Sequence, residues 1–311
     1  MQIIVTGSLA FDQIMNFPES FSDYIMPDKL HVISASFMVD AMHKNFGGVA
    51  GNISYNLGIL RENPICLSSI GQDGKDYVAL LKESGVNTDY INLSKTDYTG
   101  SFVVITDQND CQIAGFYPGA MKNDTNLSLK DVVKEGQDYF LVVAPTMPEA
   151  MDNFVQEAVE LKIPFMYSPS QQLPKLTKDQ ILFGVKHADI VIGSDYEIAL
   201  LEKRADLTHQ QLIEATNIVV TTLGKAGSLI EQQGKPEIKI GVAKPRDIKD
   251  PTGAGDGYIA GFLAAYLNGK SLVECGQWAA TGAVYPVENY GTTAHDFTYE
   301  LFQQRLKENF S

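Results

Sequence analysis

The stretch Asp250-Pro-Thr-Gly-Ala-Gly-Asp256, running straight into the apolar segment Gly257 to Leu267, is where this chain carries residues spaced for chemistry. Asp250 and Pro251 stop whatever precedes them, and Gly253 and Gly255 tolerate backbone angles that a side chain forbids, so consecutive amides can turn inward. Free N–H groups at a helix start, with the positive end of the helix dipole, suit a phosphate or a developing oxyanion. Asp256 has two readings on spacing alone. It is an ordinary first-turn acid, acting as N-cap or dipole partner, or beside a bound phosphate it is a general base that takes the proton of an attacking hydroxyl. A Walker loop would need Lys-Ser or Lys-Thr after the last glycine, where this chain has Asp256-Gly257. A dinucleotide fingerprint should follow the first strand, but Val5-Thr-Gly-Ser-Leu-Ala-Phe-Asp12 lacks the G-x-G-x-x-G spacing.

A second glycine turn, Gly47-Gly48-Val-Ala-Gly51-Asn52, opens a helix expected to run through Leu60. Either turn alone can be a tight packing turn, whereas two of them suggest two ligand groups gripped by backbone. Asp12 lies just past the β-rich run Gln2 to Thr6, at the edge where parallel sheets bind ligands, and is a candidate hydroxyl acceptor for a polyol.

These residues need a frame to hold them. Strand-like runs at Pro64 to Gly71, Tyr139 to Ala144, Phe165 to Ser168, Ile190 to Gly193, Asn217 to Thr222 and Ser228 to Glu231 alternate with helical patterns. Helices are expected at Asp76 to Ser84, Pro148 to Leu161 and Lys178 to His187, and closing ones at Ser271 to Val284 and Tyr299 to Glu308. The alternation predicts βαβ units around a mostly parallel sheet, an α/β fold whose strand ends share one crevice. Gly100 to Thr106 and Gln112 to Tyr117 read as a hairpin about Asp107-Gln-Asn-Asp110, and the irregular stretch Asn16 to Phe46 holds an apparently extended piece at His31 to Val39. Together they predict a small β lid, with Phe116, Tyr117 and Met121 as apolar surface or as its own core. The expected division is a large domain of residues 1–11, 46–93 and 122–311 and a lid of residues 12–45 and 94–121.

A chain of 311 residues, 44% hydrophobic, can bury a sizeable core. Its net charge of −14 argues against nucleic-acid and anionic-membrane surfaces, so any phosphate site must be local. Cys66, Cys111 and Cys275 have neither metal-ligand spacing nor a paired framework and read as reduced core thiols of a cytoplasmic protein. No apolar run reaches membrane-spanning length, and the strand-like start lacks a basic leader.

With both glycine turns in this order and at this separation, the chain resembles the ribokinase-like, or PfkB, family of carbohydrate and nucleoside kinases along essentially its full length. Pro27-Asp-Lys-Leu-His31, Phe46-Gly-Gly-Val-Ala-Gly-Asn52 and Phe116-Tyr-Pro-Gly-Ala-Met121 resemble its bacterial adenosine-kinase-like branch. The resemblance implies a central, mostly parallel sheet with helices on both faces and a small β-sheet lid. It implies Asp256 as catalytic base, with the amides from Gly253 through Ala254 and Gly255 to Asp256 as the anion hole. Asp12, Gly47, Gly48 and Asn52 are implied to hold ribose hydroxyls, under Phe116 and Tyr117 of the lid. Thr222, Gly224, Gly227 and Asn289 are implied on the ATP side, Asp250, Thr252 and Gly291 at a monovalent cation such as K+, and Glu197 at Mg2+. The family's Asn-x-x-Glu stands here as Ser194-x-x-Glu197, and Ser8 replaces an Asn of some adenosine kinases.

The expected activity is ATP-dependent phosphorylation of a ribose-type primary hydroxyl, foremost the 5′-OH of adenosine or a related nucleoside, by a monomer or homodimer. A free-sugar kinase and a non-catalytic nucleoside-binding protein are the competing expectations. The intact Asp256 weighs against the latter.

Overall fold

A computed structural model of the chain describes residues 1–310. In chain order, β1 (Gln2–Thr6), β2 (Ala10–Asn16) and β3 (Ala41–Gly47) precede α1 (Val49–Ile59), β4 (Ile65–Ile70) and α2 (Lys75–Glu83). β5 (Ile91–Leu93), β6 (Gly100–Thr106) and β7 (Gln112–Tyr117) follow. The alternation then runs β8 (Tyr139–Val143), α3 (Pro148–Leu161), β9 (Phe165–Tyr167), α4 (Lys178–His187), β10 (Ile190–Ser194) and α5 (Asp195–Ala205). It ends with α6 (His209–Ala215), β11 (Ile218–Thr222), β12 (Ser228–Glu231), β13 (Ile238–Ile240), α7 (Ala254–Leu267), α8 (Leu272–Val287) and α9 (Tyr299–Phe310).

Nine strands form the main sheet in the order β13-β12-β11-β10-β9-β8-β1-β4-β5. All pairs are parallel except those of β12 with β11 and β13. Its central strands are apolar on both faces, as a sheet covered on two sides requires. Ile3, Val5, Phe140 and Val142 point into a core with α1, α7 and α8, whereas Ile4, Leu141 and Val143 point into a second core with α3, α4 and α5. Helix starts are written locally: Thr177/Gln180, Ser194/Glu197, Thr208/Gln211 and Ser271/Glu274 each close a reciprocal capping box. α7 lies against α8 at backbone contact, where a Cβ on Gly261 would come 2.5 Å from Trp278 O.

The lid is a four-stranded sheet ordered β3-β2-β6-β7. Asp107 fixes its hairpin turn by accepting the amides of Asn109 and Cys111, and ties it to the excursion by accepting Phe21 N at 2.9 Å. Several expectations need correction. His31 to Val39 is not extended: a 3-10 turn covers Pro27–Val32, irregular chain follows, and the lid strand is Ala41–Gly47. Met121 is buried in the 3-10 stretch Gly119–Asn126 that returns the chain to the main sheet, so it lends the lid no surface. Cys111 is exposed at the hairpin, unlike the buried Cys66 and Cys275. Among the described residues, no helix is long and apolar enough to cross a membrane.

Candidate active site

The turn before α7 is built as its composition demands. Asp250 Oδ1 accepts Thr252 N at 2.9 Å, and Pro251 O accepts Ala254 N at 3.2 Å. Gly253 then takes φ 82° as the N-cap, a left-handed angle that glycine adopts without cost. Gly257 N is the first amide of the helix to reach its own turn, on Gly253 O at 2.9 Å, so those of Gly255 and Asp256 ahead of it are left for a ligand. Gly255 meets no heavy atom within 4 Å of where a Cβ would stand, so packing does not demand a glycine there. A group approaching the helix end from outside would.

Asp256 is not a cap. The N-cap makes no side-chain bond; instead the Asp256 carboxyl accepts Asn52 Nδ2 of α1 at 2.7 Å, across 204 residues of chain. Burial raises this half-buried carboxyl to about 7; the Asn52 hydrogen bond opposes the rise, and the charges of Glu197 and Asp12 add to it. A carboxyl poised there can accept a proton at neutral pH.

Asp12, in β2, is paired with Asn45 of β3 and Phe102 of β6. Its carboxylate lies over Gly47, where a Cβ would be 2.3 Å from Oδ2. Burial, then the nearby Asp250, pushes it up to about 6. Gly48 has a packing role: at φ 86°, a Cβ would come 2.6 Å from Ser8 O. Ser8 binds this helix start, its hydroxyl accepting Val49 N at 3.2 Å and its carbonyl Ala50 N at 3.1 Å. Strand alternation separates the two lid aromatics. Phe116 is opposite Phe102 and shares the face of Asp12, whereas Tyr117, opposite Ser101, shares the face of Phe11. Both are about half exposed.

On the other side, Thr222 ends β11 between Ser194 of β10 and Ser228 of β12. Gly224, at φ 56°, borders open space, but Gly227 is a packing glycine whose Cβ would lie 2.0 Å from Ile240 O. Asn289 closes α8, donating Nδ2 to Tyr285 O at 2.9 Å. Gly291 faces the lid strand, its Cβ position 3.0 Å from Asn45 Cγ. Glu197 serves its own helix: Oε2 accepts Ser194 N at 2.8 Å and Ser194 Oγ at 3.0 Å, and Oε1 accepts the Ser170 hydroxyl. Ser194 is thus the cap of α5. Among the described residues, no cluster of three or more His, Cys, Asp or Glu is arranged to hold a metal ion.

The sequence reading missed Ser170, the Asn52–Asp256 bond and Thr292, whose hydroxyl is 2.7 Å from Asn52 Oδ1. A helix start with open amides, a raised carboxyl at its third position and a second acid on a lid strand define a phosphotransferase acting on an alcohol. The chain belongs to the pfkB family of carbohydrate kinases, whose profile matches residues 10–297. It is 30% identical over 295 residues to a nucleoside kinase of Methanothermobacter thermautotrophicus, covering 93% of this chain and 90% of that one. It is 28% identical over 313 residues to a nucleoside kinase of Methanocaldococcus jannaschii, covering 99% and 97%. Among solved structures, the Burkholderia thailandensis nucleoside kinase in complex with ADP-inosine superposes with a TM-score of 0.85 at 25% identity, covering 99% of this chain and 96% of that one.

Proposed function

We propose that the protein transfers the γ-phosphoryl group of ATP to the 5′-hydroxyl of a nucleoside, adenosine or a related purine nucleoside foremost. The observation that carries this reading is that Asp12 and the half-exposed Phe116 share one face of the lid sheet, a hydroxyl acceptor beside a flat apolar surface. The nucleoside kinases among the relatives support the same choice.

In this mechanism Asp12 and Asn52 hold the ribose hydroxyls. Asp256 accepts the proton of the attacking oxygen, and the amides of Gly255 and Asp256 stabilise charge on the transferred group, that of Ala254 being held by Pro251 O. Thr222, Gly224 and Asn289 border the nucleotide. Magnesium suits the residues present, because in phosphoryl transfer it takes most of its ligands from phosphate and water. Glu197, whose carboxylate is held here by Ser194 and Ser170, would turn an oxygen to the ion, which would offset phosphate charge. K+ would fit near Asp250, Thr252 and Gly291, where Asp250 keeps one oxygen outside its turn.

The test is a panel of nucleosides and free sugars with ATP and magnesium, read as ADP release. Stacking of a base contributes roughly 1–3 kcal/mol, about one to two decades of affinity. Nucleosides should therefore exceed ribose in kcat/KM by about tenfold or more. Equal or better use of ribose would overturn the nucleoside assignment.

A further inference from the structure

Thr292 lies between α8 and α9, is 1% exposed, and has no part in the mechanism above. Its hydroxyl is 2.7 Å from Asn52 Oδ1 and 2.9 Å from Phe46 O of the lid strand β3. Its methyl lies against the helix start, since a Cβ on Gly253 would come 2.9 Å from Thr292 Cγ2. One buried side chain therefore touches the lid, the helix that carries Asn52, and the N-cap of α7.

The chemistry of an amide gives this contact a consequence. Asn52 presents an acceptor at one end and a donor at the other, and turning it over exchanges them. The Thr292 hydroxyl has one proton and faces two acceptors; given to Oδ1, the shorter contact, it favours the orientation in which Nδ2 faces the Asp256 carboxylate at 2.7 Å. The reverse orientation would set an amide oxygen against an ionised carboxylate. The backbone of Asn52 is braced as well: Asn56 Nδ2 donates to Asn52 O at 2.8 Å, and His295 Nε2 lies 2.9 Å from Asn56 Oδ1. Burial pushes His295 down to about 4, so at neutral pH it is an uncharged ring that can donate to that oxygen. We propose that Thr292 is a positioning residue, whose hydroxyl sets the Asn52 amide so that its N–H holds the catalytic carboxyl of Asp256. The inference rests on the assignment of Asp256 as base.

The groups facing Asp256 make the effect measurable. Glu197 from α5 and Asp12 from β2 both raise its carboxyl, and the buried Tyr77 hydroxyl of α2 adds no positive charge. Asn52 is the hydrogen-bond donor that opposes them. Thr292→Val keeps the shape of the side chain and removes the hydroxyl. Loss of the Asn52 hold should move the Asp256 titration to higher pH.

The carboxyl is followed by 13C NMR in the substrate-free protein, assigned by comparison with Asp256→Asn, alongside the pH profile of kcat. Thr292→Val should shift both midpoints alkaline by about half a unit or more, a threefold change in proton affinity. At pH 7 that shift halves the ionised fraction of the carboxyl, so kcat should fall about twofold or more. Thr292→Ser, which retains the hydroxyl, should return both. An unshifted carboxyl in folded Thr292→Val, or a Ser variant that behaves as Val, overturns the proposal. Should the Val variant not fold, the wild type decides: the Asn52 side-chain amide signals must move with the Asp256 titration, and their indifference to it overturns the proposal. Because the titration is read without substrate, its outcome is separate from a failure of the base assignment, which retained turnover in Asp256→Asn would reveal.

Discussion

Replacing Asp256 with asparagine should stabilise the free protein at alkaline pH. A carboxyl raised from 3.8 to about 7 binds its proton more tightly in the folded than in the unfolded chain. The associated stability is fully present below about pH 4 and is lost as pH rises through about 7. At about 1.4 kcal/mol per pKa unit, the ionised folded state is disfavoured by at most about 4 kcal/mol, and solvent reaching the half-buried group reduces this to about 2 kcal/mol. Asparagine carries no charge and still offers Asn52 Nδ2 an oxygen. For a chain of this size, about 2 kcal/mol corresponds to roughly 3 °C in Tm. Thermal unfolding of both proteins across pH 4 to 9 should therefore give a variant that is more stable at pH 8, with the difference vanishing near pH 4. If the variant is equally or less stable at pH 8, the acid is a helix-dipole partner, and the reasoning that makes it a base fails.

Three further outcomes follow from the geometry. With Asp256 raised to about 7 and Asp12 to about 6, kcat/KM should fall about tenfold per unit below pH 7 and more steeply below pH 6; a flat profile from pH 6 to 8 contradicts this. Phe116→Ala should raise the nucleoside KM about tenfold, whereas Tyr117→Ala, on the other face of the lid, should change it little; steady-state kinetics that rank them the other way would remove Phe116 from the site. Gly255→Ala fills open space, so unfolding free energy should change by less than about 1 kcal/mol while kcat falls about a hundredfold from blocked approach to the amides; retained kcat would mean that no ligand comes there.

The sheet was legible because its strands are apolar on both faces and separated by capped helices, signals that lie within a few residues of one another. The lid was half legible. Its hairpin carries the β-rich run Phe102 to Thr106 and a turn bounded by two Asp, but β3 reads Ala-Met-His-Lys-Asn-Phe-Gly with only Gly47 buried, so hydrophobic periodicity had nothing to mark. The apolar run at His31 to Val39 misled for the converse reason: it packs little of its surface and forms no ladder. Asp256 was visible through its glycines, yet spacing could not tell a cap from a base, because the deciding contact comes from Asn52, 204 residues away. Thr292 sits 240 residues from the same asparagine and carries no local pattern. Alternation within β7 already separates Phe116 from Tyr117, and that distinction could have been drawn from the strand alone.

The most direct test of the account is single-turnover phosphoryl transfer from ATP to a bound nucleoside, with nucleoside affinity measured on the same samples, for wild type and Asp256→Asn. The account predicts nucleoside binding within about threefold of wild type and a transfer rate lower by roughly two to four orders of magnitude, the range for a lost general base. Transfer at near wild-type rate by the folded, nucleoside-bound variant would contradict it.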